Sequence, residues 1–336
     1  MRYVMLLAVL CLTVATAQDS ALAAASPAPA NKIDHILLWG RNIDEVTSIM
    51  TAKLGFQVIP GRNPSGVANR FVRFADRGYI ELLGMTKPNP DMDPGEQADQ
   101  ASLHGGAGAR QFGLYATALD ASRTLLQARG FGVTPIFSAA ANDPDGAGPQ
   151  GPRRWSLFVL QPSPLSSGVF VIDYAPGKTD AASVTDDRIA REQPNGAREL
   201  SAIWLLSADA AANKAQFERM GLGGAQAVRI PQISARGYCI PVGHTAVVAL
   251  EPDGPGVAAD TLRKQGPEVI GASIGVEDLD HAQRRIARGY EQTLTPYKGL
   301  FGDSFLAPTQ ADLGMLLEFH ALPAKTVAGV CGSRLD

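Results

Sequence analysis

The feature that most limits what this chain can fold into is a succession of elements that occurs four times along it. In each copy a strand leads to a helix, and three shorter strands follow. Each helix begins about nine residues after its strand begins, and a glycine is expected to end it. These glycines are Gly55, Gly130, Gly221 and Gly289. The sequence therefore predicts four βαβββ units.

The first unit shows how the elements are assigned. Residues 33–39 are predicted to form a strand, and Asn42 offers a helix cap with Glu45 three residues further on. Apolar residues at helical spacing then continue to Leu54, and strands are predicted at 56–59, 69–74 and 79–83. In the second unit the predicted first strand, helix and three strands are 111–116, 120–129, 131–137, 155–160 and 169–174. In the third unit they are 200–206, 209–220, 225–230, 237–240 and 245–250. In the fourth unit they are 269–276, 278–288, 292–295, 304–306 and 315–319.

The N-terminal end has the pattern of an export signal. Arg2 precedes an apolar run over residues 4–14, and Ala15-Thr16-Ala17 supplies a small-x-small cleavage site. The alternative, a retained membrane anchor, is disfavoured because the run is too short to span a bilayer. We therefore expect a signal peptide at 1–17, a flexible leader at 18–31, and a periplasmic or secreted protein.

Charge and cysteine content narrow the possible partners. The net charge of −3 becomes −4 once Arg2 is removed, since 29 basic residues then face 33 acidic ones. This balance argues against nucleic acid, which needs a basic face. No later segment resembles a membrane span, so we expect no membrane partner after signal removal.

Cys239 and Cys331 remain after cleavage, and the sequence leaves open whether they form a disulfide or two free thiols.

The four units are expected to form two domains of two units each. The first domain is predicted at 32–176 and the second at 198–323, followed by a C-terminal tail at 324–336. Between them, residues 177–197 are polar and contain Pro194-Asn-Gly196, so this segment is interpreted as a linker.

Four segments of the first unit, IDHILLW, LGFQVIPG, GVANRFVRF and GYIELLG, resemble the opening unit of the vicinal-oxygen-chelate (VOC) superfamily and its glyoxalase-like branch. The resemblance implies an α+β fold in which paired modules form two open, cupped mixed β-barrels, as in glyoxalase, bleomycin-resistance and dihydroxybiphenyl-dioxygenase proteins. The superfamily includes isomerases, lyases, dioxygenases and metal-free drug-binding proteins, so it does not by itself settle an activity.

The resemblance also implies a metal site in the first domain. In metal-dependent members, the first and the last strand of each paired unit supply one ligand each. Carried over, these ligands are His35, Glu81, Gln111 and Asp173, although Ile172 competes for the place of Asp173. Such nitrogen and oxygen donors suit a divalent ion, whether Zn, Mn, Ni, Fe or Mg. Glu81 and Asp173 are the candidate catalytic residues, because a carboxylate beside the ion could shuttle a proton.

The sequence supports part of this predicted metal site independently of the family resemblance. Glu81 lies in a mostly apolar strand, and a carboxylate inside a sheet's concave face must be paired, hydrogen-bonded or metal-bound. Two alternatives stay open: Glu81 faces solvent, or His35 hydrogen-bonds it without a metal. Asn69 and Arg70 are candidate substrate-pocket residues, with a solvent-facing Arg70 as the alternative.

The second domain departs from the pattern. Its positions equivalent to His35 are Ala202 and Gly271, which cannot bind a metal, and only Glu318 with His320 remains. Extradiol dioxygenases need two histidines and a glutamate for iron in this domain, so a ring-cleaving dioxygenase is disfavoured. The three tryptophans, Trp39, Trp155 and Trp204, are most simply core residues.

Two functions follow as hypotheses. The first is an exported, metal-dependent lyase or isomerase that acts on a small oxygen-rich substrate in the first domain. The second is a metal-free protein that binds and sequesters a small molecule. Metal analysis is the observation that separates them.

Overall fold

The computed structural model describes residues 28–61, 66–86, 106–140, 153–176 and 180–322, together with Gln97, Ala101 and Cys331. The predicted signal peptide at 1–17, residues 18–27 of the leader, and the tail at 324–336 apart from Cys331 lie outside the described residues. Among the helices that the structure describes, none has the length and apolar character needed to cross a bilayer.

The first half of the chain contains two of the predicted units. Its elements are β1 (Lys32–Trp39), α1 (Ile43–Ser48, continued by a π-helical turn at Ile49–Lys53), β2 (Ile59–Pro60), β3 (Val67–Arg73), β4 (Tyr79–Met85), β5 (Gly108–Tyr115), α2 (Leu119–Ala128), β6 (Phe137–Ala140), β7 (Arg153–Val159) and β8 (Gly168–Tyr174).

The second half repeats this order with three additional helices and a 3₁₀ turn. Its elements are α3 (Ala181–Ile189), β9 (Ala197–Leu206), α4 (Ala210–Met220), β10 (Gln226–Ile230), a 3₁₀ turn (Pro231–Ile233), β11 (Ala235–Val242), β12 (Thr245–Pro252), α5 (Val257–Gln265), β13 (Glu268–Val276), α6 (Leu279–Tyr290), β14 (Pro296–Gly299), β15 (Gly302–Ala307), α7 (Gln310–Leu313) and β16 (Leu316–Ala321).

The strands form one mixed sheet that divides into two rows of eight. The first row runs β2-β3-β4-β1-β5-β8-β7-β6, and the second runs β10-β11-β12-β9-β13-β16-β15-β14. Within each unit the first and last strands are parallel, and the first strands of paired units, β1 with β5 and β9 with β13, are antiparallel. The rows meet at the pair Val269 and Ala109. Both rows are open at their ends, which is consistent with two cups and confirms the α+β class with four modules.

The two halves share a core. One continuous cluster of buried apolar side chains includes residues from both rows of strands. The rings of Phe56 and Phe319 stack with centroids 5.9 Å apart, and the Ile33 amide donates to Thr245 Oγ1 across 2.8 Å. The strand that carries His35 is therefore held by contacts with the second half as well as with its own.

Several local predictions have clear outcomes. Asn42 does cap α1, since its Oδ1 accepts hydrogen bonds from the amides of Asp44 and Glu45. The prediction that Gly289 ends its helix is wrong, because α6 continues to Tyr290. A Cβ atom at residue 289 would come within 2.1 Å of the Lys53 carbonyl oxygen, so this glycine permits close packing of two helical segments.

Three helices were not predicted, and the second strands of the first, second and fourth units are displaced to Ile59–Pro60, Phe137–Ala140 and Pro296–Gly299. Helix α3 lies in the segment interpreted as a linker, α5 precedes β13, and the four-residue α7 precedes β16. Helix α3 buries none of its residues and α5 buries only Ala258 and Thr261, so neither shows a broad apolar stripe. The strand predicted at 131–137 contains only an isolated bridge at Val133, and β6 begins at Phe137.

The structure pairs Cys239 with Cys331 in a disulfide, which resolves the alternative that the sequence left open. We expect an unreduced chain that begins at Gln18, denatured in urea, to show no thiol that reacts with a thiol reagent, and two after reduction. Two reactive thiols per chain before reduction would contradict this pairing.

Candidate functional site

One face of the first row of strands collects the chemically active side chains. Strands β1 and β4 are parallel, with His35 opposite Tyr79, Leu37 opposite Glu81 and Trp39 opposite Leu83. Side chains alternate between faces along a strand, so these six residues share one face of the sheet. Leu37, Tyr79 and Glu81 are only partly buried, so this face is open to a ligand at its centre.

His35 lies between two carboxylates on this face. Its Nδ1 atom is 2.6 Å from Asp34 Oδ2, and its Nε2 atom is 3.6 Å from Glu81 Oε2. His35 and Asp34 are 3% and 1% exposed, respectively. The short contact is that of an Nδ1–H donating to a carboxylate, which leaves the lone pair on Nε2. The longer contact exceeds hydrogen-bond range. Glu81 Oε2 and His35 Nε2 therefore lie side by side without a hydrogen bond between them, so that a single atom beside them could contact both.

Two tyrosines extend this arrangement. The Tyr174 hydroxyl donates to Asp34 Oδ2 across 2.5 Å, and the Tyr79 hydroxyl lies 3.0 Å from that of Tyr174. The Tyr79 ring stacks on His35 with centroids 4.2 Å apart. Burial raises the pKa of both tyrosines well above the usual value, and the Asp34 carboxylate adds to this. Both phenols are therefore neutral. Tyr79 hydrogen-bonds Tyr174, Tyr174 donates to Asp34, and Asp34 in turn holds the imidazole of His35.

Glu81 is held on one side and open on the other. The Asn69 amide donates to Glu81 Oε1 across 3.1 Å. Burial raises the pKa of Glu81, whereas His35 and the Asn69 hydrogen bond lower it. The side chain is 17% exposed. Asn69 was predicted as a pocket residue, and the structure places it beside Glu81 on the open face.

The register of the strands decides where the other predicted ligands lie. Gln111 pairs with Leu37 across β1 and β5, while His35 pairs with Gly113, so Gln111 is a diagonal neighbour of His35 on the same face. A Cβ atom at Gly168 would come within 2.6 Å of Gln111 Cγ, which shows that the Gln111 side chain rests over this glycine.

The structure does not place Asp173 with this group. In β8, Gly168 pairs with Gln111 and Phe170 with Gly113, so the position equivalent to Glu81 is Phe170. Its ring lies 5.1 Å from the His35 ring. Asp173 is an odd number of residues from Phe170 and therefore lies on the opposite face, where Arg153 contacts it at 3.2 Å. Ile172 shares the face of Phe170, but it is not the equivalent position either.

Arg70 is also turned away from the site. It alternates with Asn69 along β3 and lies on the helix side of the sheet. Its guanidinium donates to Thr47 Oγ1 at 2.7 Å and to Asp44 Oδ1 at 2.6 Å, both on α1. The prediction of Arg70 in the substrate pocket is therefore corrected, because its charge is engaged by the helix.

The matching face of the second half is filled by its own side chains. Glu318 is 1% exposed and accepts hydrogen bonds from Tyr297 at 2.6 Å and Ser273 at 2.7 Å. The Trp204 indole donates to Ser273 Oγ at 3.0 Å. A Cβ atom at Gly271 would lie 3.0 Å from the Trp204 ring, so a histidine there would meet this ring.

His320 is similarly occupied. Its Nε2 atom lies 2.7 Å from Ser201 Oγ, and its Nδ1 atom lies 3.0 Å from the Ala321 carbonyl oxygen. Burial lowers the pKa of His320 to about 4, so the ring is neutral near pH 7. Glu318 and His320 are therefore both engaged in internal hydrogen bonds.

Sequence reasoning missed three residues of the first-half site. Asp34 lies next to His35, but strand alternation suggested the opposite face; a register shift between Ile33 and His35 in the pairing with β5 accompanies its approach to the ring. Tyr174 follows the residue that was chosen, and Tyr79 was placed on the correct face without a role. A Tyr in the last strand of both units was the available signal.

The donors present fit a divalent ion in part. Bonds of about 2.0–2.2 Å from His35 Nε2 and Glu81 Oε2 can reach one ion across their separation. Asp34 on Nδ1 is the outer carboxylate typical of a metal-bound histidine. The described residues include no cluster of three His, Cys, Asp or Glu side chains that could hold an ion. A third protein ligand would therefore be the Gln111 amide, and Phe170 stands at the fourth position.

Comparison with known proteins agrees with this architecture. Residues 33–221 match the family described as a glyoxalase-like domain. No curated protein sequence matched the chain. Among solved structures, a triple mutant of 4-hydroxymandelate synthase from Streptomyces coelicolor superposes with a TM-score of 0.64 at 12% identity, over 90% of this chain and 95% of that one.

Two further structures are similar in fold. One is 2,2',3-trihydroxybiphenyl 1,2-dioxygenase from Sphingomonas wittichii strain RW1, with a TM-score of 0.54 and 14% identity over 87% of this chain and 90% of that one. The other is a catechol 2,3-dioxygenase, with a TM-score of 0.51 and 14% identity over 88% and 91%. At such identities the similarity concerns the fold alone. Because the family match covers more than half of its length, the chain belongs to the glyoxalase-like family of the VOC superfamily.

Proposed function

We propose that the first half is an enzyme site that binds a small, neutral molecule with two adjacent oxygens and moves a proton on it, as a lyase or isomerase does. The observation that carries this is the approach of His35 Nε2 and Glu81 Oε2 to 3.6 Å without a hydrogen bond between them, with Asp34 at the opposite edge of the imidazole. A neutral substrate is favoured because Arg70 is engaged by α1 while two carboxyl groups flank the imidazole.

Glu81 is the proposed base. Asn69 holds its Oε1 atom, so Oε2 remains to accept a proton from a substrate carbon next to a carbonyl group. The electron pair of the broken C–H bond moves toward the carbonyl oxygen. In an isomerisation, Glu81 then returns the proton to the former carbonyl carbon, and the proton of the neighbouring hydroxyl group moves to the former carbonyl oxygen. In an elimination, Glu81 gives the proton to an oxygen that leaves from the carbon next to the deprotonated one, and the electron pair forms the new C=C bond.

His35 orients the substrate's oxygens. Asp34 accepts the Nδ1–H and Tyr79 stacks on the ring, so both the tautomer and the ring plane are fixed before the substrate arrives. Such preorganisation avoids the cost of reorienting the imidazole as charge develops on the substrate. His35, Glu81 and Gln111 would hold a divalent ion here, and a bound ion would stabilise negative charge on the substrate oxygen.

Metal content tests this donor set. In protein purified without chelators, we expect about one divalent ion per chain, lost in His35→Ala and Glu81→Ala because each removes one of the two facing donors. Asp173→Asn is the matched control: it also removes a carboxylate from the predicted set, but one on the opposite face, so it should keep the ion. Elemental analysis of the dialysed proteins gives the answer.

The metal-free alternative has its own support, because Phe170 stands where a fourth ligand is expected. It predicts a negligible ion content in the wild type and unchanged ligand affinity after chelation. Loss of the ion in Asp173→Asn but not in Glu81→Ala would contradict the proposed donor set.

The reaction is tested by hydrogen exchange. Phenacyl alcohol, a 2-hydroxy ketone, is incubated with the protein in D₂O, and deuterium incorporation at the carbon beside the ketone is followed by mass spectrometry. Exchange above the buffer rate supports proton transfer at the site. The absence of exchange for phenacyl alcohol and for the aliphatic hydroxy ketone acetoin would count against an enzyme that acts on this class.

A further inference from the structure

Trp39 lies at the end of the same face as His35 and Glu81. It follows Leu37 by two residues and pairs with Leu83 of β4. With Leu37, Val67 and Leu83 it forms a small apolar cluster separate from the main core. Since Glu81 pairs with Leu37, Trp39 is displaced from Glu81 by two residues along the strand, about 6.6 Å. The site therefore continues from a polar centre into an apolar end.

The indole N–H of Trp39 is buried without a partner. Trp39 is 1% exposed, and its Nε1 atom has no hydrogen-bond acceptor among the residues that the structure describes. Buried donors are nearly always paired, since an unmet one costs free energy. Trp204, the buried strand tryptophan of the second half, does satisfy its N–H through Ser273. The contrast indicates that the acceptor for Trp39 comes from outside the described chain.

We propose that Trp39 is a specificity residue that donates its indole N–H to an oxygen of the substrate, about 6–7 Å from the reacting atoms. The inference rests on the proposed function, because it takes Glu81 and His35 as the centre that binds the reacting end. It adds a substrate class: a 2-hydroxy ketone or similar oxygen pair, an apolar or aromatic middle that packs on Leu37 and Leu83, and a carbonyl or ether oxygen at the far end.

A matched pair of ligands tests this. Phenacyl alcohol with a 3-acetyl group carries the distant carbonyl, and the same compound with a 3-ethyl group lacks it. We expect the acetyl compound to bind the wild-type protein about tenfold more tightly, as one neutral hydrogen bond allows. Calorimetry measures both affinities. In Trp39→Phe, which keeps the aromatic ring but removes the N–H, the two affinities should become equal.

Nuclear magnetic resonance gives an independent readout. With ¹⁵N-labelled tryptophan, the Trp39 indole signal, assigned by its loss in Trp39→Phe, should shift with the acetyl compound and much less with the ethyl compound. The signals of Trp155 and Trp204 serve as internal references, and an unchanged melting temperature shows that the variant folds.

The outcomes separate the two proposals. Equal wild-type affinities, a preference that persists in Trp39→Phe, or no binding of either compound overturns the role of Trp39. If the preference exists and depends on Trp39, but neither compound exchanges hydrogen in a Glu81-dependent way, the specificity stands and the proposed proton transfer fails.

Discussion

Glu81→Gln should lower the rate of hydrogen exchange on phenacyl alcohol by about 10²–10⁴-fold, the range typical for loss of a general base. The amide keeps the shape of the side chain but cannot take a proton from carbon. Asn69 contacts only Oε1, so it leaves Oε2 toward His35 and the substrate. Affinity, measured by calorimetry on the same variant, should fall much less than the rate.

Asp173→Asn provides the control for this experiment. Asp173 is the other carboxylate that the sequence offered as a catalytic residue, and it contacts Arg153 on the opposite face. Its replacement should leave the exchange rate within about twofold of the wild type, since the group does not touch the proposed reacting atoms. A large loss in Asp173→Asn, or a wild-type rate in Glu81→Gln, would remove Glu81 from the role of base.

Glu268→Ala should reduce the free energy of unfolding by about 3–5 kcal/mol, because it leaves a buried arginine charge without its partner. Arg110 NH1 lies 2.7 Å from Glu268 Oε2, and the two side chains are 9% and 0% exposed. Arg110 is in β5 and Glu268 in β13, next to the single strand pair that joins the two rows. Burial raises the pKa of Glu268, and Arg110 opposes this rise.

Urea denaturation of three variants tests this estimate. The double variant Arg110→Met with Glu268→Met removes both charges, so it should recover at least half of the loss. Asp303→Ala breaks the exposed contact with Lys298 and should cost less than about 1 kcal/mol. An equal effect of Glu268→Ala and Asp303→Ala would show that the buried pair does not hold the junction.

The repeat of four units was visible in the sequence because each unit carries its own apolar pattern, and the helices of three units begin at a side-chain cap. Asn42 illustrates this, since its cap depends on residues three positions away. Helix α3 was not visible, because a helix that buries nothing leaves no apolar stripe. Local rules therefore gave the order of the elements, whereas they failed where an element has no buried face.

Within the candidate site, the sequence correctly placed only the residues of one strand pair, β1 and β4. His35 and Glu81 belong to the same unit, and strand alternation was enough to bring them to one face. The contribution of the second unit depends on the register between β5 and β8, which assigns the equivalent position to Phe170. No spacing within the sequence reports that register. The displacement of Asp173 by three residues was therefore undetectable before the strands were paired.

Through the shared core, the second half has a structural role that does not depend on its own polar side chains. The backbone of β1 is fastened to Thr245, and the chain after α1 rests on Phe319. A fragment cut after residue 176 would present these apolar surfaces to water and would loosen the strand that carries the imidazole. The second half can therefore lack metal-binding residues and still be required, because its packing holds the strand that carries His35 in position.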